Sequence, residues 1–265
     1  MQPPRHDDTL PLLQARILSR LFSNKVHDLV LKGGMAMRVA HSHSRHTKDI
    51  DLDADPSWEL SQLRRLVRRA IEEASGGGLL DEVVITEPKQ TATTARWKIN
   101  GIVPGTKLPL HLTVEISFRC PVKNSDVRRV VHRASPEDMP TLVPVYTDER
   151  LVLNKIRALL SDTRQAPRDV VDLFLLFQSG VSLTPEMLSP VIGSNPHQAM
   201  DCLWKKLDAM NEAQFNQEVL PVWSFPNDLP QWQDWLSMRL YVGQCLDDLI
   251  LPGSSGESRK VGCAP

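Results

Sequence analysis

Apolar residues near the N-terminus recur every three or four positions, which is the spacing of one helical face. This spacing predicts a helix over residues 9–22, and Thr9 is a suitable N-cap for it. The same spacing predicts a helix over residues 57–74. Short apolar runs at 29–31 and 83–85 predict strands. The apolar positions of the first helix are Leu10, Leu13, Ile17, Leu18 and Leu21.

A third apolar segment alternates with acidic residues, and its period of two is that of a β-strand. Asp49, Asp51 and Asp53 alternate with Ile50 and Leu52. Because alternate side chains of a strand point to the same face, the three carboxylates are predicted to share one face and the aliphatic residues the other.

Residues 108–118 have the same period of two and are predicted to pair with a strand over 95–103, around a Pro-Gly turn. The predicted apolar face consists of Leu110, Leu112, Val114, Ile116 and Phe118. The predicted polar face consists of His111, Thr113, Glu115 and Ser117. Glu115 is therefore expected on the polar face of a core strand.

The second half of the chain has helical periodicity. Helices are predicted over 149–160 and 168–178, and apolar residues further on recur at helical intervals. We therefore predict an α/β (α+β) fold with one domain over 1–145 and a mainly helical domain over 146–251. The small and polar residues 252–265 are predicted to form a disordered tail.

Composition excludes several classes of protein. Hydrophobic residues make up 41% and charged residues 24% of the chain, as in ordinary globular proteins. No stretch approaches the roughly 20 apolar residues of a membrane span, and the first ten residues lack the apolar core of a signal peptide. We expect a cytoplasmic protein that contacts no membrane. Residues 1–180 hold 26 Lys and Arg against 22 Asp and Glu, a mild excess that suits a polyanionic partner.

The segment Lys32-Gly33-Gly34 joins a predicted strand to a predicted helix. Glycines let the backbone approach a bulky anion, and N–H groups at a helix start can bind it. Asp49 and Asp51 follow closely, and two such charges repel each other unless a cation neutralises them. Mg²⁺ prefers carboxylate oxygens and binds together with substrate phosphates. Glu115 would complete a site for phosphoryl or nucleotidyl transfer.

Each of these features has a structural alternative. A bare Asp-x-Asp pair is more often the solvated face of an edge strand, and Glu115 alone could be a surface carboxylate. The Gly-Gly pair upstream and the glutamate in phase downstream favour the metal site. Asp53 continues the same face and is a lesser candidate.

Three stretches carry a resemblance to a known family. They are LKGGMAMR at 31–38, RHTKDIDL at 45–52, and a longer stretch that includes KIRAL at 155–159 and PRDVVDL at 167–173. In this order they resemble the AbiEii/AbiGii toxin family, which includes the MenT-type toxins and belongs to the DNA polymerase β-like nucleotidyltransferase superfamily. Met35 stands where the family usually has Thr, and a methionine cannot offer a hydroxyl to phosphate.

The resemblance implies a nucleotidyltransferase core, with a mixed β-sheet flanked by helices, and a helical domain that closes the active-site cleft. It implies that Asp49 and Asp51 bind metal, Mg²⁺ or Mn²⁺, and that Gly33 and Gly34 contact the triphosphate. Glu115 is our candidate for the third metal ligand or for activating the acceptor hydroxyl.

Further candidates would bind the nucleotide or assist catalysis. Lys155 lies on an apolar helical stripe, so its ammonium needs either an anion such as a triphosphate or access to water. The resemblance implies functional roles for Lys155 and Asp169, although Asp169 also suits the first turn of a helix. Asp169 and Asp172 are three residues apart and share a helical face, so one of them could instead orient Lys155 or Arg168. Arg38 would either bind phosphate or pair with the acids. Lys32 is expected beside the nucleotide.

Together these features predict a metal-dependent nucleotidyltransferase that transfers a nucleotide from an NTP to an acceptor hydroxyl. Members of the resembled family are typically toxins of toxin–antitoxin pairs, and some modify tRNA. We therefore expect NTP and tRNA as substrates and a cognate antitoxin as a partner. The alternatives are transfer to a small molecule such as an aminoglycoside, and a catalytically silent protein that binds nucleotide or RNA.

Overall fold

The computed structural model describes residues 6–23, 29–41, 46–136, 138–161, 167–222 and 231–251. The tail predicted over 252–265 lies outside these residues, as does Arg45, the first residue of the second motif stretch, with its three neighbours 42–44. The chain divides into two compact units, Met1–Thr147 and Asp148–Pro265.

The first unit contains a mixed sheet of seven strands, as the resemblance implied. The strands are β1 (Leu29–Lys32), β2 (Asp49–Ala54), β3 (Asp81–Thr91), β4 (Thr94–Ile102), β5 (Pro109–Ser117), β6 (Val127–His132) and β7 (Thr141–Tyr146). Their order across the sheet is β3-β4-β5-β2-β1-β7-β6. β2 runs parallel to β5 and β1 parallel to β7, whereas the other neighbours are antiparallel.

Three helices belong to the first unit: α1 (His6–Ser23), α2 (Gly33–His41) and α3 (Leu60–Ser75). The prediction of Thr9 as an N-cap is wrong, because α1 begins at His6 and Thr9 is a fully buried residue inside it. The acidic Asp8 suits the first turn of such a helix. The amphipathic pattern of α3 was predicted, but the helix begins at Leu60 rather than at residue 57.

Two strands of the sheet have no clear signal in the sequence. β7 carries Pro144 in its interior, and a proline within an apolar run argues against a central strand. β6 is the edge strand beside it, and its alternation of polar and apolar residues is interrupted by Arg128 and Arg129. Both strands were therefore missed, whereas β1, β2, β4 and β5 lie where the patterns predict them.

The second unit is helical in its described residues. It contains α4 (Asp148–Leu160), α5 (Pro167–Gln178), α6 (Pro185–Ile192), α7 (Pro196–Ala209), α8 (Glu212–Glu218) and α9 (Trp232–Ile250). α5 and α7 pack against α9. Trp235 is fully buried and stacks on Trp232, with ring centroids 4.9 Å apart. Within the described ranges, no helix has both the length and the hydropathy that a membrane span requires.

Candidate active site

The acidic strand β2 presents its carboxylates on one face of the sheet. Asp49, Asp51 and Asp53 are half-buried, whereas Ile50 and Leu52 on the opposite face are completely buried. This is the alternation that the sequence predicts. The apolar face is the one on which the core of the first unit forms, so the acids are held on a rigid element and face away from that core.

A glycine turn lies directly beside Asp51. Lys32, the last residue of β1, is the register partner of Asp51 in β2, and Gly33 follows with φ +66°. A Cβ atom at Gly33 would lie only 2.9 Å from the Asp51 Oδ2 atom. Glycine is favoured at this position, because any other residue would be strained at this φ and its Cβ atom would force the Asp51 carboxylate to move. The start of α2 is thereby held against the acidic face, with its first N–H groups available to an anion.

Asp53 is held by two donors, one from the adjacent strand β1 and one from β7 beyond it. Lys32 Nζ forms an ion pair with its Oδ1 atom, and Tyr146 Oη donates a hydrogen bond of 2.8 Å to its Oδ2 atom. Tyr146 is buried in β7. Lys32 was expected beside the nucleotide, and the structure instead shows its ammonium on Asp53. A contact between Lys32 and phosphate stays a prediction.

Glu115 lies next to the acidic pair, on the adjacent strand. It is the register partner of Asp51 in the parallel pairing of β2 with β5, so both side chains share a face of the sheet. Arg96 of β4 lies opposite Glu115, and its Nε donates a hydrogen bond of 2.7 Å to Oε2, the atom that Nη2 also contacts. Sequence reasoning missed Arg96, because nothing in the pattern of β4 indicates its partner.

The donors present on this face fit a hard divalent cation. Among the described residues, no group of three or more His, Cys, Asp and Glu is arranged as a metal cluster. Mg²⁺, however, is commonly held by one or two carboxylates, and substrate phosphates complete its octahedron. Asp49 and Asp51 can supply these two carboxylates. One oxygen of Glu115 is engaged by Arg96, so its role as a third ligand stays a prediction.

Arg38 lies on the other side of the sheet. It is a half-buried residue of α2, and burial lowers its pKa. Its positive charge contributes to lowering the pKa of His132 in β6. The strand register places His132 on the face of the sheet opposite Asp51. The described residues leave the Arg38 Nη1 atom without a hydrogen-bond partner. A contact between Arg38 and the nucleotide therefore stays a prediction, and the structure does not bring Arg38 to the acids.

Lys155 and Asp169 meet inside the second unit. Lys155 Nζ donates hydrogen bonds of 2.6 Å to Asp169 Oδ1 and to Asp172 Oδ2. Lys155 is 7% exposed, and the two aspartates are almost completely buried. The alternative that Lys155 reaches water is thus wrong, and its ammonium has found anions within its own unit. Asp172 was not among the predicted site residues, but the contacts of Lys155 with both aspartates agree with the alternative that they orient its ammonium.

Comparisons with known proteins agree with this architecture. The family model for the nucleotidyl transferase AbiEii toxin of a type IV toxin–antitoxin system matches residues 16–238. A candidate nucleotidyltransferase from Helicobacter pylori has a similar structure, with a TM-score of 0.60, 20% identity, and 92% of this chain and 93% of that chain covered. JHP933 from Helicobacter pylori gives a TM-score of 0.60 at 19% identity, with 93% and 96% covered. No curated protein matches the chain in sequence.

Proposed function

We infer the reaction from family membership: the chain belongs to AbiEii, a family of nucleotidyltransferase toxins from type IV toxin–antitoxin systems. It is therefore a nucleotidyltransferase, and its family implies an NTP substrate and an antitoxin partner. We propose that transfer depends on Mg²⁺ or Mn²⁺, that the acceptor is tRNA, and that the chain acts as the toxin of its pair.

One observation supports this reaction more than any other: the Asp51 carboxylate lies directly against the glycine turn at Gly33. The turn and the start of α2 would bind the triphosphate through backbone N–H groups. Asp49 and Asp51 would hold the cation beside it. Bound Mg²⁺ would neutralise phosphate charge and polarise the α-phosphate. The turn proposed for the triphosphate follows β1 and the acids proposed for the cation are on β2, so the two parts would lie side by side on paired strands.

In the proposed reaction the acceptor oxygen forms a bond to the α-phosphorus of the NTP. The bond from that phosphorus to the oxygen that bridges to the β-phosphate breaks, and pyrophosphate leaves. Glu115 is the candidate base for the hydroxyl proton, because it lies beside Asp51 on the same face. Catalysis then depends mainly on positioning and on charge stabilisation.

The remaining predicted residues have supporting roles in this proposal. Lys155 and Asp169 form a buried ion cluster whose integrity fixes α4 and α5 relative to each other. Lys32 orients Asp53 beside the acidic pair. A phosphate contact for Lys32, Lys155 or Arg38 would add to these roles and is tested by the KM for NTP in their variants.

The experiment that tests the proposal offers the purified protein each α-labelled NTP with total tRNA, with and without Mg²⁺. We expect label from one or more NTPs to enter tRNA only when the divalent cation is present. Transfer of label to an added aminoglycoside but not to RNA would contradict tRNA as the acceptor and support the small-molecule alternative. Binding of NTP without release of pyrophosphate to any acceptor would support the silent binding protein and contradict the proposal.

A further inference from the structure

A cavity of about 580 Å³ lies at the far end of the carboxylate face. This volume is within the range of small-molecule sites, about 300–1,000 Å³. Its floor includes Val30 of β1 and Pro144 of β7, both buried. Val30 is the register partner of Asp53, and Pro144 is two residues before Tyr146, which contacts Asp53. The cavity and the acids are therefore on the same face of one sheet.

The walls of the cavity come from the residues that follow β2 and from the connection between β5 and β6. The connection from β5 to β6 contributes Val122 and Asn124. Asp55 accepts a hydrogen bond of 3.0 Å from the Ser57 N–H, and hydrogen bonds from Ser57 and from the Val122 N–H lower the pKa of Asp55. Asp55 therefore stays ionised at neutral pH and gives the cavity a negative charge.

The charges of the cavity exclude a polyphosphate and fit a single nucleotide unit. Among the lining residues, Asp55 carries the negative charge and Arg129 the positive charge, so a triphosphate would lack neutralising cations. Arg129 is exposed and can reach one phosphate. The Asn124 amide and the Asp55 carboxylate can contact the polar edge of a base.

The position of the cavity favours an acceptor strand over the NTP. Asp55 follows Asp51 by four residues, which is about 13 Å along a strand. The side chains of Asp53, Lys32 and Tyr146 lie between the two places. An RNA strand whose terminal hydroxyl is at the acids has further nucleotides that reach this far, whereas the phosphates of the NTP are proposed at Gly33.

We propose that this cavity binds one nucleotide of the acceptor RNA, upstream of the reacting hydroxyl, with its base at Asn124 and Asp55 and its phosphate at Arg129. This inference rests on the proposed transfer to RNA. It makes the cavity a determinant of acceptor choice that is separate from the site of chemistry.

The first test measures kcat and KM for tRNA and for NTP in Arg129→Ala and Asn124→Ala. The matched control is Arg69→Ala, which removes an exposed arginine of α3 outside the cavity. We expect the KM for tRNA to rise about tenfold or more in Arg129→Ala, because this variant loses one charge-assisted hydrogen bond to the RNA phosphate. The KM for NTP should stay within twofold, and the control should resemble wild type in both. A changed KM for NTP with an unchanged KM for tRNA would overturn the proposal.

The second test uses short RNA acceptors that carry an abasic site at each of the last positions in turn. In wild type, an abasic site at one of these positions should raise the KM for the RNA acceptor above that of the intact RNA. In Asn124→Ala, this difference in KM between abasic and intact RNA should be smaller. Equal KM values for all the acceptors would overturn the proposal.

Fluorescence anisotropy of the same labelled RNAs, without NTP, separates this inference from the proposed function. If wild type binds RNA through Arg129 but transfers nothing to it, the proposed reaction fails and the cavity assignment stands. If transfer proceeds and the cavity variants behave as wild type, the cavity assignment fails alone. If wild type neither binds nor modifies RNA, both fail.

Discussion

Replacing Gly33 with alanine would place a methyl group 2.9 Å from the Asp51 Oδ2 atom and would force φ +66° on a residue with a side chain. The conformational strain costs about 1–2 kcal/mol, and the overpacking adds about 1–3 kcal/mol. We expect Gly33→Ala to lose about 2–5 kcal/mol of unfolding free energy in urea titrations. Because the methyl group displaces the Asp51 carboxylate, transfer should fall by about a hundredfold.

Gly105→Ala provides the matched control for this prediction. Gly105 has φ +74°, but a Cβ atom there would have no heavy atom within 4 Å. This variant should therefore lose only the strain term of about 1–2 kcal/mol and keep wild-type kcat/KM at a temperature where it is folded. If Gly33→Ala were as active as Gly105→Ala, the close contact between the turn and Asp51 would have no part in catalysis.

Three further variants probe the surroundings of the site. Arg96→Gln should lower the Mg²⁺ concentration for half-maximal activity about two- to fivefold, because the guanidinium no longer competes for Glu115. An unchanged Mg²⁺ concentration for half-maximal activity would contradict the prediction that Glu115 binds the metal. Lys155→Met should lower the unfolding free energy by about 3–5 kcal/mol, since it leaves two buried carboxylates without their cation. Adding Asp172→Asn to this variant should restore part of the loss. If the effects of the two substitutions on the unfolding free energy simply added, the ion cluster would be contradicted. Burial lowers the pKa of His132 below its ordinary value of 6.5, so the unfolded state binds more protons and stability falls as pH drops below that value. His132→Asn should therefore flatten the decrease in Tm between pH 7 and pH 5. An equally steep decrease in the variant would contradict this role of His132.

The acidic face was predictable because it depends on local periodicity. A period of two in residues 49–53 places the carboxylates together whatever sheet the strand joins. The same periodicity placed Glu115 on the polar face of β5. Its position beside Asp51 depends on the pairing of two strands that are far apart in the chain, and no local pattern in the sequence shows that pairing.

The contacts that hold the acids in place were not predictable. Tyr146 and Asp53 are 93 residues apart in the sequence, and β7 itself was hidden by Pro144. Arg96 and Glu115 are 19 residues apart on paired strands, and only the register shows that they lie opposite each other. Long-range pairs of this kind follow from the assembled sheet, and local pattern carries no information about them.

Release of pyrophosphate by Asp49→Ala decides whether the acidic pair is the active site. The assay uses saturating NTP, Mg²⁺ and tRNA, and the control variant is Asp81→Ala, which removes an exposed carboxylate from β3. Asp49→Ala should fold as wild type does, by circular dichroism and urea titration, and should lose at least about a hundredfold in turnover. Asp81→Ala should keep wild-type turnover. Wild-type turnover in folded Asp49→Ala would contradict the assignment of catalysis to this face of the sheet.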